Sequence, residues 1–297
     1  MPKRRSSLRN QAEAAAFALL AAGIRALPRA RAEAAGRRLG LLFRLLARRR
    51  RELAERNLAR AYPGEGTGEI ERLSREVFAH FGGVAADLVH SLDEPIDSLL
   101  ERVEVENIEV VRAAMGSGRG VLFITAHFGN WEVGAIVTAA LAGPLTVVVR
   151  PLDNPILDAL LTSFRERTGN RVLSKREAAR EILRVLRSGG TIGIVADQHA
   201  PPRDAVVAPF LGRPASTTNS VARLADRTEA LILPGAAART APGRYRLAFG
   251  EPIDVRTLSP SERKVEALTT RVNQRLEEPI LARPEQWLWL HDRWRLD

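Results

Sequence analysis

GVLFITAHFGNWE, residues 120–132, is an unbroken apolar run that ends abruptly in polar residues. Val121 to Ala126 reads as a buried strand. His127 sits at its carboxyl end, Gly129 allows a sharp bend, and Asn130 can cap a new helix. That helix begins at Trp131-Glu132 and runs through VGAIVTAALAG until Gly143-Pro144 stops it. A histidine and a carboxylate are thereby delivered to one strand-to-helix junction.

Outward from this junction, strand-like runs alternate with helical ones. LTVVVR at 145–150 precedes a helix over 155–167, and RVLS precedes one over 176–187. TIGIVAD (191–197), LILPGA (231–236) and RYRLAFG (244–250) follow, with a last long helix over 261–281. Alternation of this kind predicts an α/β fold with a largely parallel central sheet flanked by helices. Before it, residues 1–95 read as helical throughout, including an amphipathic helix near 68–92 that carries Val77, Phe78, Phe81 and Leu88. We therefore expect a basic helical region over 1–95 and an α/β domain over 96–297.

Charge is unevenly placed along the chain. Residues 1–63 hold 16 of the 45 Lys/Arg and only 4 of the 35 Asp/Glu, so the net charge of +10 originates there. Such a segment suits an anionic partner, a membrane surface or a nucleic acid. Its apolar stretches, 14–24 and 39–47, are shorter than the roughly 20 residues a spanning helix needs and are flanked by arginines. Short stripes of this type fit helices lying in the headgroup layer, although a tilted single span is an alternative. A nucleic-acid reading fits less well, because the basic residues interleave with apolar stripes and not with stacking aromatics. The chain has no cysteine, which excludes disulfides, thiolate metal sites and cysteine nucleophiles.

As bare residues, His127 and Glu132 admit two readings. On a regular helix, residues five apart lie about 140° around the axis from one another and do not meet. A turn through Phe128-Gly129 removes that obstacle and puts Glu132 in the first helical turn, where an ionised carboxylate is favoured. The pair then reads as a base and its orienting partner, or equally as a capped turn with an incidental histidine. Asp197 and Gln198 end the strand TIGIVAD, on the edge where ligands of open α/β sheets bind. Arg150 and Arg165 could grip phosphates, or could be ordinary surface charges. His80 and His90 have no partners at metal-ligand spacing, and Trp287, Trp289 and Trp294 suit either a pocket wall, the headgroup layer or core packing.

HFGNWE (127–132) resembles the HX4(D/E) motif of the lysophospholipid and glycerolipid acyltransferases, and in this form the branch that adds secondary acyl chains to lipid A. RELAERNLARAYP (51–63), VVRPLDNPILD (148–158) with Arg165 and Gly169, VADQ (195–198), PFLGRPASTT (209–218) and PEQWLWLHDRW (284–294) resemble further blocks of that branch in order. The N-terminal segment departs from the clearer apolar anchor frequent there. The resemblance implies a glycerol-3-phosphate-acyltransferase-like fold at the cytoplasmic face of the inner membrane. It implies transfer of a fatty acyl group from an acyl carrier protein thioester to a hydroxyl of a lipid A precursor, without metal or other cofactor. It further implies His127 as general base, Glu132 as its partner, and substrate contacts from Asn130, Arg150, Asn154, Arg165, Asp197 and Gln198. Phosphatidylinositol mannosides and lysophospholipids are alternative acceptors.

Overall fold

The structure, a computed structural model, describes residues 6–174 and 178–296. Four helices open the chain: α1 (Ser7–Arg25), α2 (Arg29–Leu46), α3 (Arg48–Ala61) and α4 (Thr67–Ser91). After the short α5 (Ile96–Leu100), strands and helices alternate: β1 (Val103–Glu106), α6 (Ile108–Gly116), β2 (Val121–Thr125), α7 (Trp131–Ala142) and β3 (Thr146–Val149). They continue with α8 (Pro155–Glu166), β4 (Arg171–Ser174), α9 (Ala178–Arg187) and β5 (Thr191–Val195). A hairpin of β6 (Ala205–Phe210) and β7 (Arg213–Thr218) leads to α10 (Ser220–Thr228). The chain then forms β8 (Leu231–Ala241), β9 (Arg244–Phe249), β10 (Ile253–Asp254) and α11 (Val265–Ala282).

The main sheet runs β1-β9-β8-β2-β5-β3-β4, with β10 on β8. Every pairing in it is parallel except β8 with β9 and β10. This is the expected α/β architecture. Its central strands are apolar on both faces because helices cover both: Leu122, Ile124 and Ile192 pack towards α9–α11, Val121, Phe123 and Leu233 towards α7. Residues 176 and 177, expected to open α9, lie outside the described residues. The β6–β7 hairpin went unanticipated: Ser216 to Thr218 form the end of a strand, and α10 begins two residues later.

The N-terminal helices share this core. Ala54 and Leu58 of α3, with Val77 and Phe78 of α4, are buried in the cluster that holds Leu122 and Ile124. Helices α2 and α4 meet backbone to backbone; a Cβ at Gly40 would lie 2.0 Å from the Phe78 carbonyl oxygen. A buried ionic network adds to this. Asp87 on α4 accepts from Arg29, from Arg102 (3.1 Å) and from the Tyr245 hydroxyl (2.6 Å), while Glu33 on α2 pairs with Arg239 on β8. Side chains from both sides of residue 95 thus lie in one core.

No helix among the described residues is long and apolar enough to cross a membrane. Helix α2 nonetheless leaves Leu41, Leu42, Phe43, Leu45 and Leu46 exposed, and α1 leaves Leu19 and Leu20 exposed.

Candidate active site

Strand β2 ends at Thr125, and two residues later His127 stands at the carboxyl edge of the sheet. The turn that follows is fixed by short contacts. Gly129 has φ 55°, and any Cβ there would lie 1.9 Å from the Ala237 carbonyl oxygen, so only glycine fits. Asn130 caps α7: its Oδ1 accepts from the Val133 N–H at 3.2 Å. The Asn130 side chain also donates to the Tyr245 hydroxyl at 3.1 Å, and its N–H donates to the Ala237 carbonyl at 3.0 Å.

The imidazole of His127 is held by Asp197 and not by Glu132. Its Nδ1 lies 2.7 Å from Asp197 Oδ1, and its backbone N–H donates to Asp197 Oδ2 at 2.9 Å. Asp197 follows β5, the parallel neighbour of β2, so the two strand ends bring the pair together across the sheet edge. The carboxylate is 1% exposed and accepts a third hydrogen bond, from Trp287 Nε1 at 2.6 Å. Burial raises its pKa, but the facing imidazole and these donors outweigh that and leave it below the usual carboxylate value. Burial likewise pushes the His127 pKa down; the Asp197 charge and hydrogen bond, with Glu132 adding at longer range, carry it above the ordinary histidine value.

Glu132 faces a different partner. Arg165 on α8 grips it with both arms of the guanidinium, Nε to Oε2 at 2.8 Å and a terminal nitrogen to Oε1 at 2.5 Å. Trp131 Nε1 donates to the same carboxylate at 3.2 Å, and the Trp131 ring sits edge-on to His127 at 5.0 Å. The local spacing that suggested a His127–Glu132 contact is satisfied another way: the first turn of α7 points Glu132 towards α8.

His127, Glu132, Arg150, Arg165 and Gln198 line one cavity of about 920 Å³. Gln198 Nε2 stands 3.5 Å from His127 Nε2, the ring nitrogen left free by Asp197. Asp197 lies behind the imidazole, out of the cavity wall. Asn130 and Asn154 also lie outside that wall, contrary to the expectation of substrate contact. Both are helix caps: Asn154 Oδ1 accepts from Ile156 N–H at 3.0 Å, and its amide donates to the Asn10 carbonyl at 2.9 Å, tying α8 to α1. Two arginines the sequence did not single out, Arg223 and Arg227 on α10, also line the cavity. In a chain so rich in arginine, nothing in their spacing set them apart. Trp287, for which the sequence leaves a pocket wall, the headgroup layer and core packing open, is buried, and its bond to Asp197 spans ninety residues of sequence. The other two tryptophans of the C-terminal segment, Trp289 and Trp294, are core side chains.

A histidine with one ring nitrogen fixed by a buried carboxylate, facing a largely apolar cavity that opens to solvent, can deprotonate an alcohol and hand it to an acyl carbonyl. A family model for bacterial lipid A biosynthesis acyltransferases matches residues 1–296. The Escherichia coli lipid A biosynthesis palmitoleoyltransferase is 27% identical over 88% of this chain and 83% of its own. The lauroyltransferase of the same organism is 28% identical over 86% and 83%. A Mycolicibacterium smegmatis phosphatidylinositol mannoside acyltransferase is 27% identical over 83% and 80%. The chain belongs to the bacterial lipid A biosynthesis acyltransferase family and is an acyltransferase.

Proposed function

We propose that the protein moves a fatty acyl chain from an acyl carrier protein thioester to a hydroxyl of a lipid A precursor, with His127 as general base. The observation that carries this is the Asp197–His127 pair, with the free Nε2 turned into the cavity. In the neutral imidazole with Nδ1–H donating to Asp197, Nε2 carries no proton and takes that of the acceptor hydroxyl as its oxygen attacks the thioester carbonyl. The imidazolium that forms is stabilised by the buried carboxylate and then protonates the departing thiolate. Gln198, beside Nε2, is the side-chain amide best placed to donate to the tetrahedral oxyanion. The Asn130 N–H is unsuited to that task, being engaged by Ala237.

Glu132 acts through Arg165. Their pairing holds a guanidinium at the cavity wall and places a negative charge near the imidazole, which adds to the raised His127 pKa. Arg150, Arg223 and Arg227 are exposed at the cavity, with no carboxylate partner among the described residues, and suit the phosphates of an anionic acceptor. The exposed leucines of α1 and α2, set among arginines, favour peripheral attachment to the anionic cytoplasmic face of the inner membrane.

The test offers purified protein a lauroyl carrier-protein thioester or lauroyl-CoA, with a lipid A precursor or a phosphatidylinositol mannoside, and reads products by mass spectrometry. The proposal expects acylation of the lipid A precursor from the carrier-protein donor. Product only with the mannoside would move the acceptor to that of the mycobacterial relative. For the membrane, Leu45→Ser with Leu46→Ser should release the protein from anionic vesicles; truncating residues 1–60 would instead remove Ala54 and Leu58 from the core.

A further inference from the structure

Asparagine differs from the other good helix caps in having two unlike ends. At Asn130 the side-chain oxygen must face the Val133 N–H; turned over, the amide would set donor against donor. Asn130 is 1% exposed, so bulk water cannot serve both orientations. The backbone of the turn leaves the choice open. Gly129 N–H donates to the Gln286 carbonyl at 2.9 Å, Asn130 N–H to Ala237, and Leu288 N–H to the His127 carbonyl at 3.0 Å. These bonds hold the main chain and do not reach the amide.

The choice is made from the N-terminal helices. Asp87 on α4 accepts from two guanidiniums, Arg29 on one oxygen and Arg102 on the other, so both oxygens serve as acceptors. The Tyr245 hydroxyl on β9 therefore donates to Asp87, at 2.6 Å. Burial first, and then the Asp87 charge, hold its pKa well above the ordinary tyrosine value, so that proton stays in place. Having given its one proton to Asp87, the hydroxyl can only accept, and it accepts the Asn130 amide N–H at 3.1 Å. The Asn130 oxygen is then left for Val133. Asp87 and Tyr245 are as buried as Asn130, so the whole relay is shielded.

The first turn of α7 depends on this cap. It carries Trp131, whose ring is edge-on to His127, and Glu132, which takes both arms of Arg165. We propose that Tyr245, oriented by Asp87, is a positioning residue for acyl transfer: it sets the sense of the Asn130 cap, and through it the place of Trp131 and Glu132 around His127. The proposal rests on the reading of His127 as the catalytic base. It gives the N-terminal helices a part in the site separate from any membrane contact, since Arg29 and Asp87 belong to them. Tyr245 lies outside the cavity wall, so its effect should fall on kcat and not on KM.

The experiment is a double-variant cycle on the full chain, with the donor and acceptor that give product. Tyr245→Phe keeps the ring and its contact with the Arg102 guanidinium and removes only the hydroxyl. It should lower kcat by about fivefold or more, the worth of a helix cap, with KM near wild type. In an Asn130→Ser background the same change should cost little, because a serine hydroxyl rotates to cap without outside direction. Equal losses in the two backgrounds would show that Tyr245 does not act through Asn130 and overturn the proposal. A second readout needs no turnover. The indole N–H resonance of Trp131, assigned by its loss in Trp131→Phe, should shift in Tyr245→Phe, while those of Trp289 and Trp294 stay. A lowered melting temperature with kcat and the Trp131 resonance both unchanged would make Tyr245 a structural brace and overturn the proposal. A shifted Trp131 resonance with unchanged kcat would leave the relay standing and refute the catalytic reading of the turn.

Discussion

Two buried carboxylates stand near His127, and they serve opposite ends of the site. Asp197 comes from the end of β5 and is bonded to the imidazole, to the His127 backbone and to Trp287. Glu132 comes from the first turn of α7 and is bonded to Arg165 and Trp131. Both accept several donors, as buried carboxylates must. The difference lies in what each leaves on removal: without Asp197 the proposed base loses its orienting partner, whereas without Glu132 a half-buried guanidinium is left unpaired at the cavity wall.

The largest effect should come from the group both carboxylates surround. His127→Ala should lower kcat by about 10²–10⁴-fold, the usual worth of a positioned general base, with the fold intact by circular dichroism. Glu132→Ala should also abolish much activity, for a different reason. Removing one partner of a fully buried ion pair costs about 3–5 kcal/mol; Arg165 is half-buried at the cavity, so the melting temperature should fall, but by less than that figure implies. The double variant Glu132→Ala with Arg165→Met should recover most of that stability. Additive losses in the two single variants and the double would show that the pair is uncoupled. The smallest effect belongs to Trp287→Phe, which removes one N–H donor from Asp197 and should reduce kcat by about tenfold, the worth of a hydrogen bond to a charged group.

The sheet was legible because its strands are short apolar runs bounded by turn residues, as in VLFIT and TIGIV. VEVE of β1 carries a half-exposed alternation on an edge strand, and β6–β7 contains Pro209, Gly212 and Pro214, so neither stood out. His127 was legible from its place at a strand end. Its partner was not. Glu132 is close in sequence, and Asp197 is seventy residues away, adjacent only because β2 and β5 pair in parallel. Local spacing fixed the turn, and sheet register decided the contact. Asn130 and Asn154 teach a similar lesson. A polar residue next to a reactive one is as readily a helix cap as a ligand, and the backbone N–H groups of α7 and α8 claimed both.

The account turns on Asp197 being the group that tunes the base, and the pH dependence of kcat/KM tests it most directly. The proposed mechanism needs neutral His127, so it has the rate rise with pH through the imidazole pKa; with that pKa above the ordinary histidine value, the wild-type acid limb should lie above about 6.5. Asp197→Asn should move that limb to lower pH, because the carboxylate that stabilised the imidazolium is gone, while the plateau rate falls. Glu132→Gln should move it much less. A limb displaced fully by Glu132→Gln and unmoved by Asp197→Asn would contradict the assignment and return the orienting role to Glu132.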